Sequence, residues 1–319
     1  MYSLDQVLKG LRYPRLIGRE INLHYHSWRG TESRLGRQNV NPDGIDVLEE
    51  DWDNLIILDA CRYDTFERHQ TFSGGRLEHR ISRGCATPAF LEANFANRTI
   101  DDTVYVNANP MFEGGEALNA EFFRVIPVWR TDWDEEHRTV LPETVTRHAI
   151  DAAREHPDKR LIVHYNQPHH PFIPSDSGYS YHGAGTDATG DTDDVPFWRR
   201  KMRGELDVSR EQIIEDYEAN FRYVLDPVMD LLAELEGKTV VTSDHGNMLG
   251  ERGFPVPIRE WGHWNPLFYE ELVKVPWYVV EGGERKEITA GEPSAADTVD
   301  EEEVKRKLRD LGYMEEDKL

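Results

Sequence analysis

Two cysteines, Cys61 and Cys85, are all that this chain of 319 residues contains. That is too few for a disulfide framework, and no Cys/His spacing suggests structural zinc. No apolar run approaches the ~20 residues of a membrane-spanning helix, and the N-terminus lacks the continuous apolar core of a secretory signal, so the expected address is the cytoplasm. Basic charge is scarce: 37 Lys and Arg stand against 60 Asp and Glu, a formal net charge of −23. Such a balance excludes the basic footprint of a nucleic-acid partner. Lysine is missing altogether between Lys9 and Lys159, while Asp crowds into loops such as the stretch from Asp187 to Asp194. The bias resembles the haloarchaeal type of composition, which keeps a surface hydrated in concentrated salt and says little about substrate. The irregular Asp spacing argues against a dedicated cation loop, and internal repeats are absent.

What is present bounds the fold. With 38% hydrophobic residues and a mean hydropathy of −0.68, the chain has room for one large α/β domain with small appendages. Three short apolar runs without polar alternation read as parallel strands buried on both faces. Asn54-Leu-Ile-Ile-Leu58 runs into Asp59 and Arg62; Leu161-Ile-Val163 runs into His164 and then Pro168-His169-His170-Pro171; Lys238-Thr-Val-Val-Thr242 runs into Ser243-Asp244-His245-Gly246. In an open parallel sheet, ligands bind at the carboxyl ends of the strands, so strands that end in Asp or His place metal-binding groups where chemistry happens. The expected fold is a mostly parallel sheet sandwiched between helices.

These segments, in this order, resemble the alkaline phosphatase superfamily, and within it the sulfatases and the phosphoglycerol transferases of the lipoteichoic-acid-synthase type. Thr242 to Gly246, with Gly250-Glu-Arg-Gly253 after it, is similar to the late metal motif of sulfatases. Asp216 to Asn220 resembles the helix before that strand, Tyr269-Glu270 with Lys274-Val-Pro276 a later family segment, and Pro168-His-His-Pro171 the Pro-His-x-Pro motif. The match spans residues 51 to 281. It implies an enzyme, a metal-dependent hydrolase or transferase acting on phosphate or sulfate esters, glycan- or lipid-linked ones among them. A true sulfatase, or a non-catalytic relative that binds an anionic glycan or lipid head group, are the alternatives.

One departure matters. Sulfatases convert a Cys or Ser within a Cys/Ser-x-Pro/Ala-x-Arg signature to formylglycine. Here Gly84-Cys85-Ala86-Thr87-Pro88-Ala89 has Thr where Pro or Ala belongs and Ala where Arg belongs. Cys85 is therefore a poor candidate nucleophile, and Thr87, which a divalent cation can activate as in the phosphodiesterase and transferase branches, is the favoured one. Pro88, expected at the first helical position, suits a helix opening there, whose first N–H groups would hold an ester oxygen. Asp59, Thr87, Asp244 and His245 form a mixed O/N ligand set without thiolate, suited to one Mn²⁺, Mg²⁺, Ca²⁺ or Zn²⁺ ion. By resemblance, His169 and His263 would contact the anionic group or protonate the leaving oxygen. Arg62 is a candidate anion clamp, or simply a surface arginine.

Organisation is otherwise modest. Residues 1–50 form a basic arm and lead-in, 51–281 the catalytic domain, and 282–319 a linker and a C-terminal helix from Val299 to Leu311 capped by Gly312. Residues 175–205 read as a polar insertion beside the His169 motif. Basic and apolar residues interleave over residues 1–37, which could pack on the acidic domain or touch an anionic lipid surface peripherally.

Overall fold

The computed structural model describes residues 10–31, 40–114, 118–175, 196–294 and 300–313. The acidic loop from Asp187 to Asp194, most of the 175–205 insertion, and residues 1–9 and 32–39 of the basic arm lie outside these. Helix α1 (Pro14–Thr31) precedes β1 (Asn54–Leu58), α2 (Tyr63–His69), β2 (Arg76–Ile81), α3 (Thr87–Phe95), β3 (Thr99–Asn107) and β4 (Glu121–Pro127). There follow α4 (Pro142–Glu155), β5 (Arg160–Tyr165), α5 (Phe197–Arg203), α6 (Arg210–Glu234), β6 (Gly237–Thr242), β7 (Met248–Arg252), β8 (Arg259–Gly262), β9 (Lys274–Gly282) and α7 (Glu301–Asp310).

Seven strands form one mixed sheet in the order β2-β9-β6-β1-β5-β3-β4. Neighbours from β6 to β4 pair in parallel, and β9 is antiparallel to both β6 and β2. The three apolar runs picked out in the sequence thus lie side by side at the centre, with Ile57 opposite both His164 and Thr242.

Their side chains alternate between the two faces, as a strand requires. Ile56, Leu58, Val163 and Val241 pack with Val145, Ala149, Val224, Val228 and Leu231 of α4 and α6. Leu55, Ile57, Ile162 and Val240 pack with Phe90, Leu91 and Phe95 of α3 on the other side. A sheet clothed by helices on both faces has little room for polar side chains within the strands, which is why the polar residues appear at the strand exits.

At the opposite, N-terminal edge of the sheet, the stretch after β9 is pinned down. Arg285 pairs with Asp53 and Asp51, Lys286 donates to Asn54, and the Gly291 amide donates to the Asp101 carbonyl. Helix α1 docks on the β7–β8 ribbon through Asn22, which donates to Glu260 and to the Val256 carbonyl, and through Arg19, stacked 3.6 Å above the Trp264 ring.

Candidate active site

Side chains from four strand exits meet at the carboxyl edge of the sheet. Asp59 follows β1, Asn109 follows β3, the segment from His164 to His169 closes β5, and Asp244 and His245 follow β6. The turn after β1 is tightly tied: Ala60 adopts a left-handed φ of 61°, its amide donates to Asp244 Oδ1 at 3.1 Å, and its carbonyl accepts from the Tyr217 hydroxyl at 2.7 Å. A non-glycine residue held in that conformation marks a place where the surroundings overdetermine the backbone.

The structure brings Asp59, Thr87, Asp244 and His245 close to one another. Asp59, Asp244 and His245 each present a ligand atom, all within 4.8 Å of one another. Thr87, fully buried, stands 3.1 Å from His245 Nε2 and 3.4 Å from Asp59 Oδ1. Thr87 is the first residue of α3, with Ala86 as its N-cap, so Pro88 occupies the second helical position and not the first.

Each carboxylate has one oxygen tied down and the other turned inward. Asp244 Oδ1 accepts from the amides of Ala60 and His245, while Oδ2 is buried with no hydrogen-bond partner among the described residues, 3.3 Å from His245 Nε2. Asp59 Oδ2 accepts from Asn109 Nδ2 at 2.7 Å and from the Tyr313 hydroxyl at 3.1 Å, leaving Oδ1 facing Thr87 and His245. His245 Nδ1 lies 2.7 Å from the Gly246 carbonyl; a carbonyl can only accept, so Nδ1 carries the proton and Nε2 offers a lone pair. Burial and the neighbouring Asp244 carboxylate push Asp59 well above the usual carboxylate range.

An orphaned carboxylate oxygen, a lone-pair nitrogen and a second carboxylate at this separation fit a divalent cation, which would relieve the like-charge cost and complete the coordination. Mixed O/N donors with a histidine oriented through its other nitrogen suit Zn²⁺ or Mn²⁺. Asp59, Thr87, Asp244 and His245 are the residues that would hold it.

His169 and His263 line the same space. Their rings lie 4.9 Å apart, and His263 lies 4.5 Å from His245. His169 Nδ1 donates to the His170 carbonyl and His263 Nδ1 to Asn247 Oδ1, so both turn an Nε2 lone pair elsewhere. Burial lowers His169 to about 4 and His263 well below its ordinary value, with the nearby histidines adding to the effect. Both are therefore neutral at pH 7, each with Nε2 available as an acceptor.

Two other sequence candidates are placed elsewhere. Arg62 braces the loops around the site: its guanidinium donates to Asp64, to Glu251 and to the Asn247 carbonyl, so its charge is already met by two carboxylates. Cys85 is buried with its sulfur toward the Trp264 carbonyl and Asn265, and burial drives the thiol up to about 12.

Several participants escaped the sequence reading. Asn109 could have been suspected, since Asn107-Ala-Asn109 ends an apolar strand as Asp59 does. Tyr105, whose hydroxyl meets His164 Nδ1 at 2.9 Å, lies inside β3 and carries no exit signal. Tyr313 lies beyond the resemblance, yet its hydroxyl stands 2.9 Å from Thr87 Oγ1 and its ring stacks on His169 at 5.1 Å.

No protein-family model matches the chain, and no curated protein matches it. Among solved structures, similarity is found to the integral membrane protein lipooligosaccharide phosphoethanolamine transferase A from Neisseria meningitidis. That likeness has 16% identity and a TM-score of 0.48, covering 71% of this chain and 47% of that one. The C-terminal periplasmic domain of EptC from Escherichia coli, solved in complex with Zn, gives 13% identity and a TM-score of 0.45, covering 76% of each chain. A protein of the alkaline phosphatase superfamily from Vibrio parahaemolyticus gives 11% identity and a TM-score of 0.43, covering 84% of this chain and 70% of that one. The chain thus spans just under half of the transferase's length.

Proposed function

We propose that this protein is a metal-dependent hydrolase or transferase of phosphate esters that works through a covalent intermediate on Thr87. The observation that carries this reading is the buried Thr87 hydroxyl beside His245 Nε2 and Asp59 Oδ1, while the Cys85 sulfur turns toward Trp264 and Asn265. The cation, when bound, supplies the positive charge that lowers the pKa of an alcohol and offsets charge on the ester oxygens.

Thr87, having released its proton to solvent, attacks phosphorus. Its Oγ1–P bond forms as the bond to the leaving oxygen breaks, and the departing oxygen takes a proton from water. An acceptor, water or a second alcohol, then enters; His169 or His263 takes its proton through Nε2, the acceptor oxygen bonds to phosphorus, and the Thr87–P bond breaks to return Thr87 as the deprotonated oxygen, after which the histidine gives its proton to solvent and is neutral again. Asp59 and Asp244 remain fixed throughout by their tied oxygens, so little reorganisation accompanies the charge movement.

The sulfatase alternative is disfavoured by a buried, raised Cys85 thiol in a segment that lacks the formylglycine signature. Exposed Leu11, Ile17, Ile21 and Trp28 on or beside α1 support a peripheral lipid contact, which would suit a lipid-linked ester. The test is turnover of bis(p-nitrophenyl) phosphate and p-nitrophenyl sulfate by wild type and Thr87→Ala, each with Zn²⁺ or Mn²⁺. Phosphodiester turnover above sulfate turnover, and abolished in Thr87→Ala, is expected. Sulfate turnover that survives Thr87→Ala would overturn the reading.

A further inference from the structure

The C-terminal helix delivers a side chain into the site. Helix α7 is anchored on the body of the domain: Val304 and Leu311 are buried, the buried Lys307 ammonium donates to the Trp129 carbonyl at 2.9 Å, and Arg306 makes two bonds to Glu135. The Gly312 amide donates to the Arg309 carbonyl and the Tyr313 amide to the Leu308 carbonyl, with Gly312 at φ +86°. This left-handed cap turns the chain back so that Tyr313 points at the sheet edge.

There the Tyr313 hydroxyl stands 3.1 Å from Asp59 Oδ2 and 2.9 Å from Thr87 Oγ1. Oδ2 is the outer oxygen of Asp59; the oxygen turned toward His245 is Oδ1. A carboxylate can only accept, so the phenol donates to Oδ2 beside Asn109 Nδ2, and its oxygen is free to accept from Thr87. Asn109 and Tyr313 arrive on segments packed against each other, since Met111 belongs to the core cluster that Leu308 and Tyr313 cover.

We propose that Tyr313 is a positioning residue of the cation site, orienting Asp59 and Thr87 from outside the ligand set, and that docking of helix α7 and cation binding therefore strengthen one another. This rests on the cation site proposed above. Outer hydrogen-bond donors to ligating groups typically govern ~10–100-fold in metal affinity, and linkage requires that whatever docking does for the cation, the cation does for docking.

The test uses the full chain and Zn²⁺ alone. Tyr313→Phe keeps the ring on His169 and removes only the hydroxyl, so folding is preserved; calorimetric titration should show Zn²⁺ affinity about tenfold weaker. In wild type, Zn²⁺ should slow amide exchange across Glu301–Asp310, and in Tyr313→Phe that slowing should be largely lost. Asp59→Asn serves as the control: if it binds Zn²⁺ as wild type does, the cation site itself is wrong. If Asp59→Asn loses Zn²⁺ while Tyr313→Phe keeps full affinity, or if Zn²⁺ speeds exchange in the helix, the positioning role alone is overturned.

Discussion

At the scale of single residues, the site stores an electrostatic cost. Asp59 and Asp244 are both buried, and Asp59 is pushed upward by burial and by the Asp244 charge, so without a cation one carboxylate opposes folding near neutrality. Asp59→Asn should therefore raise the melting temperature of the metal-free protein in EDTA while abolishing the stabilisation that Zn²⁺ confers. A melting temperature that falls in EDTA would mean that the carboxylate pair is not the liability described. The histidines act in the opposite direction. Burial lowers His164 and His169 to about 4, against ~6.5 for a free imidazole. Between those values the unfolded chain binds protons that the folded chain does not, so their contribution is complete above about pH 6.5 and is lost as pH falls toward 4. Urea midpoints measured across that window should drop less steeply in His169→Gln than in wild type; an unchanged slope would show that His169 is not held neutral by the fold.

At the scale of elements, the loop after β5 is organised by one residue of α6. Asn220 Nδ2 donates to the carbonyls of Pro168, His169 and Pro171, and its Oδ1 accepts from the Ile173 amide. Asn220→Ala strands these buried groups and should cost about 3 kcal/mol or more in denaturant unfolding, with turnover falling further than cation affinity. A loss under 1 kcal/mol would show that the loop holds itself. The central strands were legible because an apolar run that stops at Asp59, at His164 or at Asp244 has one economical place in a parallel sheet. Thr87 became legible through the resemblance, since a polar residue after Gly84-Cys85 has no period to announce it. Tyr313 did not, because its position depends on Lys307 finding the Trp129 carbonyl 178 residues away, and no local pattern encodes that. The surroundings of Arg62 were legible only in part: Asp64 lies two residues on, but the other carboxylate partner, Glu251, belongs to β7, far along the chain.

At the scale of the whole molecule, the net charge of −23 repels itself in the compact state, and salt screens that repulsion. The melting temperature should climb as NaCl is raised from 0.1 M toward molar concentrations, and a flat or falling curve would remove the halophile-type reading of the composition. The five parallel strands, the helices on both faces and the anchored C-terminal helix converge on a single point, the Thr87 hydroxyl. The most direct measurement is the identity of the atom that becomes covalently modified. Zn²⁺-loaded protein would be quenched in acid during the first turnovers on bis(p-nitrophenyl) phosphate, and the peptide containing Cys85 and Thr87 fragmented in a mass spectrometer. A p-nitrophenyl phosphoryl group on Thr87 with Cys85 unmodified is the expected result; the same group on another residue, or Cys85 converted to formylglycine, would contradict a Thr87 nucleophile.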